Sequence, residues 1–222
     1  MRLMRCKICS KSAVFKFNLP SLKRSGGPLE AEGTEVPYYE CQSCHFLFAN
    51  YEADYDSAYW AGLDPVHDGR VLETLRLYLW AGGRHGASVL DYGCGKGYSV
   101  KKLRELGVTA YGTDIGDPHG VGLYPLAQAP KADIVTACEV VEHFTDPLES
   151  FKHVRSLCRE SFAFQTAFYD PRVCGRDWWY LGPANGHVSL YSERSFEVLA
   201  EAVGAKRTYK WQGYPGIQAW YF

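Results

Sequence analysis

From residue 66 onward the chain alternates short apolar runs with amphipathic stretches. Residues 66–81 carry Val71, Leu72, Leu75 and Leu79 at helical spacing, and Gly82-Gly83 ends the run. The run 88–91 reads as a buried strand. A glycine-rich turn follows, then a helix over 98–106 stopped by Gly107, and a second strand over 108–113. A third apolar strand covers 132–137. Asp146-Pro147 opens a helix with proline at its first position, continued by 148–158, and 161–168 is the next strand. Beyond a loop over 169–190, Ser192 is placed to cap a helix over 193–203 that Gly204 ends. Two last strands, 205–212 and 217–222, are joined by Gly213-Tyr214-Pro215-Gly216. Strands alternating with helices predict an α/β domain over 66–222.

The first 65 residues break this rhythm. Segment 1–50 bears four cysteines, and an aromatic, acidic connector follows over 51–65. Residues 1–24 hold seven Lys or Arg and no acid; residues 25–60 hold seven Asp or Glu and no Lys or Arg. Cys6-Lys7-Ile8-Cys9 and Cys41-Gln42-Ser43-Cys44 form two Cys-x-x-Cys pairs 31 residues apart, a spacing by which four thiolates close tetrahedrally on one Zn²⁺. A site filled by Cys6, Cys9, Cys41 and Cys44 has no open position, so the metal is expected to be structural. The other four cysteines, Cys94, Cys138, Cys158 and Cys174, read as buried thiols.

Composition narrows the function. The 222 residues are 46% hydrophobic, enough for a sizeable core. No apolar run reaches the roughly 20 residues needed to span a bilayer, and no export signal is visible, so a cytoplasmic location is expected. A net charge of −1 lacks the positive excess of a protein that grips phosphates, which argues against nucleic acid as a partner.

The central motif is Leu90-Asp91-Tyr92-Gly93-Cys94-Gly95-Lys96-Gly97, glycines between strand and helix where the backbone turns sharply and approaches a ligand. Its Gly-x-Gly-x-Gly spacing differs from the Gly-x-Gly-x-x-Gly of dinucleotide sites. Asp91 before it would repel a pyrophosphate but suits a ligand bearing an ammonium group. Asp114, 23 residues beyond Asp91, ends the second strand and can accept ribose hydroxyl protons.

On these residues, with Tyr111-Gly112-Thr113-Asp114 and the run Glu139-Val140-Val141-Glu142-His143-Phe144-Thr145-Asp146-Pro147, the chain resembles the class I S-adenosylmethionine-dependent methyltransferases. The resemblance implies a Rossmann-like seven-stranded sheet with an antiparallel last strand, beside a small zinc-ribbon-like segment. It implies S-adenosylmethionine as cofactor. Asp91, Gly93 and Gly95 would line its methionine end, Asp114 would hold its ribose, and Cys138 and Glu139 would border its sulfonium. Cys94 and Ile115 complete the implied cofactor-binding set. One departure stands out: the 18 residues between Asp114 and Asp133 contain Pro118, Pro125 and Pro130 and three glycines, too little for the usual second helix.

The order of cysteine pairs, tyrosines at 51, 55 and 59 and then the cofactor domain resembles a subset of bacterial methyltransferases acting on sugars and other small metabolites. A small-molecule acceptor is therefore expected, with His143 and His187 as candidate bases and Trp178-Trp179-Tyr180 as a candidate substrate wall. Two other readings stay open: an RNA methyltransferase gripping its substrate through the basic zinc segment, and a cofactor-binding module without catalysis. The sequence leaves the oligomeric state open.

Overall fold

The computed structural model describes residues 4–23, 30–50, 68–116, 118–211 and 216–222. The chain forms two compact units that interleave along the sequence. The first comprises the described residues of 1–62, 142–150 and 167–202; the second those of 63–141, 151–166 and 203–222. Residues 142–150 and 167–202, which follow the cofactor motifs in sequence, thus group with the cysteine-bearing segment.

The second unit is built on a seven-stranded sheet. Its strands are β5 (Ser88–Tyr92), β6 (Thr109–Asp114), β7 (Leu123–Pro125), β8 (Ala132–Cys138), β9 (Cys158–Thr166), β11 (Arg207–Trp211) and β12 (Gly216–Tyr221), in the order β11-β12-β9-β8-β5-β6-β7. The five central strands pair in parallel, while β12 runs antiparallel to β9 and β11 antiparallel to β12. β8 reads Ala-Asp-Ile-Val-Thr-Ala-Cys and is buried at all but one position, as a strand covered on both faces must be. Phe151, Phe162, Phe164 and Trp220 pack as one aromatic group with centroids 4.8–6.2 Å apart, each fully buried. Burying each such ring contributes roughly 1.5–3 kcal/mol.

Helix α1 (Asp68–Trp80) packs its Thr74, Leu77 and Tyr78 face inward, whereas Leu72 and Leu79 are 58% and 65% exposed. The expected stripe of Val71, Leu72, Leu75 and Leu79 is therefore rotated. The helix carries a second set at the same spacing, and that set includes small Thr74 and leads to Ala81, which permits close approach to the sheet. Helix α2 (Tyr98–Glu105) buries Ser99, Val100 and Leu103. Between β6 and β8 the described residues hold only β7 and a 3-10 turn, Leu126–Gln128, consistent with the proline and glycine content there. The turn joining β11 to β12 lies outside the described residues.

The first unit contains an antiparallel sheet in the order β1-β2-β3-β4-β10: β1 (Met4–Arg5), β2 (Ser12–Lys23), β3 (Glu30–Cys41), β4 (Leu47–Ala49) and β10 (Ser189–Leu190). β10 belongs to the distant stretch 167–202, and Ser189 pairs with Phe48. Helix α3 (Pro147–Leu157), whose residues from Phe151 on belong to the second unit, begins after Asp146, whose carbonyl accepts from Ser150 N–H at 2.9 Å. Helix α4 (Glu193–Ala202) is capped by Ser192, whose Oγ accepts from Ser195 N–H at 3.0 Å.

Candidate functional site

In the second unit, the sheet changes winding direction between β5 and β8, the position where open α/β sheets bind ligands at their carboxyl ends. A pocket opens there, lined by Asp91, Gly93, Cys94, Gly95 and Cys138, with Arg70 and Thr74 from α1. Gly93, Gly95 and Gly97 have φ of 79°, 55° and 78°, the left-handed region that only glycine enters cheaply. Gly93 N–H donates to Thr113 O at 2.8 Å, fixing the turn against β6.

Two carboxylates govern the pocket. Asp91 accepts from Thr136 Oγ1 at 3.1 Å, and burial lifts its carboxyl to about 7. A buried carboxylate so placed is stabilised by an incoming cation. Asp114, also raised by burial, accepts Gly95 N–H at 2.8 Å and Gly116 N–H at 3.2 Å. Its two oxygens offer about four lone-pair positions, so acceptor capacity remains for hydroxyl donors. Glu139 follows β8 with a strained φ of 53°, and its Oε1 accepts from Gln165 Nε2 at 3.4 Å. Ile115 is exposed on the turn after β6. This donor set, a cation-seeking acid, a glycine turn and a ribose-type acid, fits S-adenosylmethionine.

In the first unit the four cysteines meet. Sγ of Cys6 lies 3.6 Å from Cys44, Cys9 3.5 Å from Cys41, and Cys9 3.6 Å from Cys44. Four ligands at about 2.3 Å around one tetrahedral ion would lie about 3.8 Å apart, so the residues fit a metal. The two pairs share one design. Ser10 N–H donates to Cys6 O and His45 N–H to Cys41 O, each at 3.0 Å, and both residues have positive φ, 59° and 55°. Backbone N–H groups of Ile8, Ser43 and Cys44 point at sulfur at 3.4 Å.

The first unit also brings together the two histidines. Their rings stand 5.0 Å apart, edge to face, beside a fully buried Glu142. Tyr180 OH donates to Glu142 Oε1 at 2.7 Å, and its carbonyl holds His187 Nδ1 at 2.7 Å. Gly186 O holds His143 Nδ1 at 3.1 Å. Tyr180, expected in an aromatic wall, is thus buried in this network, while Trp179 is 63% exposed. The tyrosines of the connector lie outside the described residues.

Reading along the chain missed several neighbours. Arg70 and Thr74 reach the pocket from a helix that precedes the glycine motif, and a polar Thr74 in an apolar face was the only signal. Glu142 was visible only as part of a motif; its burial comes from packing. Cys138 and Cys158 are buried as expected, Cys158 being raised to about 12 by desolvation, whereas Cys94 and Cys174 are only partly buried, and Cys94 and Cys138 line the pocket.

A parallel sheet with a glycine turn and paired acids at its switch point defines a nucleotide-cofactor domain. The chain belongs to the methyltransferase-domain family, which it matches over residues 65–209. It is 32% identical over 116 residues to a ubiquinone biosynthesis O-methyltransferase of Acinetobacter baumannii strain AYE, covering 43% of this chain and 49% of the relative. A protein of that name from Acinetobacter baylyi is 28% identical over 116 residues, with the same coverage of 43% and 49%. The chain thus spans about half the length of the curated relatives it matches. Among solved structures, magnesium protoporphyrin IX methyltransferase from Synechocystis PCC 6803 with bound SAH aligns with a TM-score of 0.50 at 20% identity, over 70% of this chain and 83% of that one. An O-methyltransferase family protein from Burkholderia thailandensis gives 0.54 at 16%, over 74% and 58%. At these identities the likeness establishes the fold. No helix among the described residues is long and apolar enough to cross a membrane.

Proposed function

We propose that this protein transfers a methyl group from S-adenosylmethionine to a hydroxyl of a small molecule, such as a sugar or natural-product intermediate. The observation that carries this reading is buried Asp91 beside the glycine turn, with Asp114 ending the next strand. When bound, the cofactor supplies a methyl on an already activated sulfonium, so the protein mainly aligns groups and excludes water. Asp91 would hold the ammonium, Gly93 and Gly95 would leave room for the methionine backbone, and Asp114 would accept from the ribose. Cys94, Ile115, Cys138 and Glu139 would flank the remaining cofactor surface.

The names of the Acinetobacter relatives specify O-methylation, which favours an oxygen acceptor here. A hydroxyl must lose its proton as it attacks, and His143 and His187 are the groups suited to take it. With Nδ1 of each ring held by a backbone carbonyl, which can only accept, Nε2 carries the lone pair. Zinc is the proposed occupant of the four-cysteine cluster, in a structural role, and thiols kept for metal suit the reducing cytoplasm.

Incubation with methyl-labelled S-adenosylmethionine and a panel of hydroxylated small molecules tests the reading. Label should appear on at least one small acceptor. Label appearing only on RNA, with steep salt dependence, would move the assignment to nucleic acid.

A further inference from the structure

We propose that Glu142, His143 and His187 form a second metal site, which takes a divalent first-row transition cation. One ring nitrogen of each histidine and a carboxylate oxygen of Glu142 lie within 4.8 Å of one another. Two imidazoles and one carboxylate are a ligand set that binds such cations and leaves coordination positions open. The four-cysteine site, in contrast, is filled by sulfur.

The surroundings are those of metal-binding histidines. A ligating ring usually donates its other N–H to a carbonyl or carboxylate, which fixes its tautomer and rotation. Here both rings do so, His143 to Gly186 O at 3.1 Å and His187 to Tyr180 O at 2.7 Å. His143 Nε2 stands 3.8 Å from Glu142 Oε1, wide of a hydrogen bond and suited to sharing an ion. Tyr180 OH orients that carboxylate at 2.7 Å, and Tyr38 OH fixes the His187 carbonyl at 2.9 Å. Local backbone sets the geometry. Glu142 and His143 lie in the 3-10 turn Val141–His143, and His187 follows Gly186, whose φ is 74°.

Metal in this site would take up the Nε2 lone pairs that the base role uses, so the metal-free protein is the form in which these rings serve as bases, and the site is read by its metal content without any turnover.

The test uses full-length protein with its cysteine site zinc-filled, dialysed against Co²⁺. Metal analysis should find one cobalt in addition to one zinc, with no thiolate-to-cobalt absorption. Proton spectra of the cobalt protein should show two exchangeable imidazole N–H signals shifted by the paramagnetic ion, a readout that needs no variant. His143→Gln and His187→Gln should each reduce cobalt to background with zinc retained. Tyr180→Phe, which removes only the hydroxyl on Glu142, should weaken cobalt binding about 10- to 100-fold. Cobalt found only where it replaces zinc, no shifted imidazole signals, or unchanged uptake in both histidine variants would overturn the proposal.

Discussion

At the scale of single residues, the position of Asp91 controls much of the pocket's chemistry. Burial is the largest influence on its carboxyl, raising it from 3.8 to about 7; Thr136 partly offsets this, and Asp114 adds to it. A carboxyl raised on folding keeps a proton that the unfolded chain releases. Cofactor-free protein should therefore lose stability as pH climbs from about 4 to about 7, by on the order of 2–4 kcal/mol. Asp91→Asn should flatten that decline, because an amide does not ionise. Thermal melts across this range check the sign, and a variant with the wild-type slope would refute it. An ammonium beside Asp91 favours the carboxylate, so cofactor binding below pH 7 should release a proton.

At the scale of elements, the turn between β5 and α2 shows how much of the site could be read in sequence. The strand, the glycines and Asp114 were legible because each must meet a backbone or charge requirement locally. The reason for glycine at 93 was not. A Cβ there would sit 2.4 Å from Val140 Cγ2, at a φ of 79°, so contact with the residue pair after β8 adds to the conformational demand. Gly107 has nearly the same φ, 81°, with open space around it. Gly107→Ala should thus cost about 1–2 kcal/mol for conformation alone. Gly93→Ala should cost roughly 1–3 kcal/mol more from overpacking. Denaturant midpoints of the two variants measure the difference, and equal losses would show that Val140 gives way. The partners of His187 were equally hidden, since Tyr180 and Glu142 meet it only through folding of a loop that carries no periodic pattern.

At the scale of the whole molecule, the surprise in the fold is its interleaving. Sequence pattern placed 142–150 and 167–202 in one run with the cofactor motifs, because periodicity reports local structure and not which sheet a two-residue strand joins. In the first unit, β10 pairs with β4, and Ser192 Oγ donates to Cys44 O at 2.5 Å, so the cysteine cluster and His187 share one scaffold. Metal removal should then lower amide protection over 36–49 and 187–190 together, as hydrogen exchange would show; protection unchanged at 187–190 would break that link. The central claim is that S-adenosylmethionine binds at the glycine turn between Asp91 and Asp114. Calorimetric titration of the intact chain tests it most directly. One saturable site is expected, weakened by about 1–3 kcal/mol, or roughly 5- to 150-fold, in a folded Asp114→Ala variant. Absence of saturable binding, or wild-type affinity in that variant, would contradict the account.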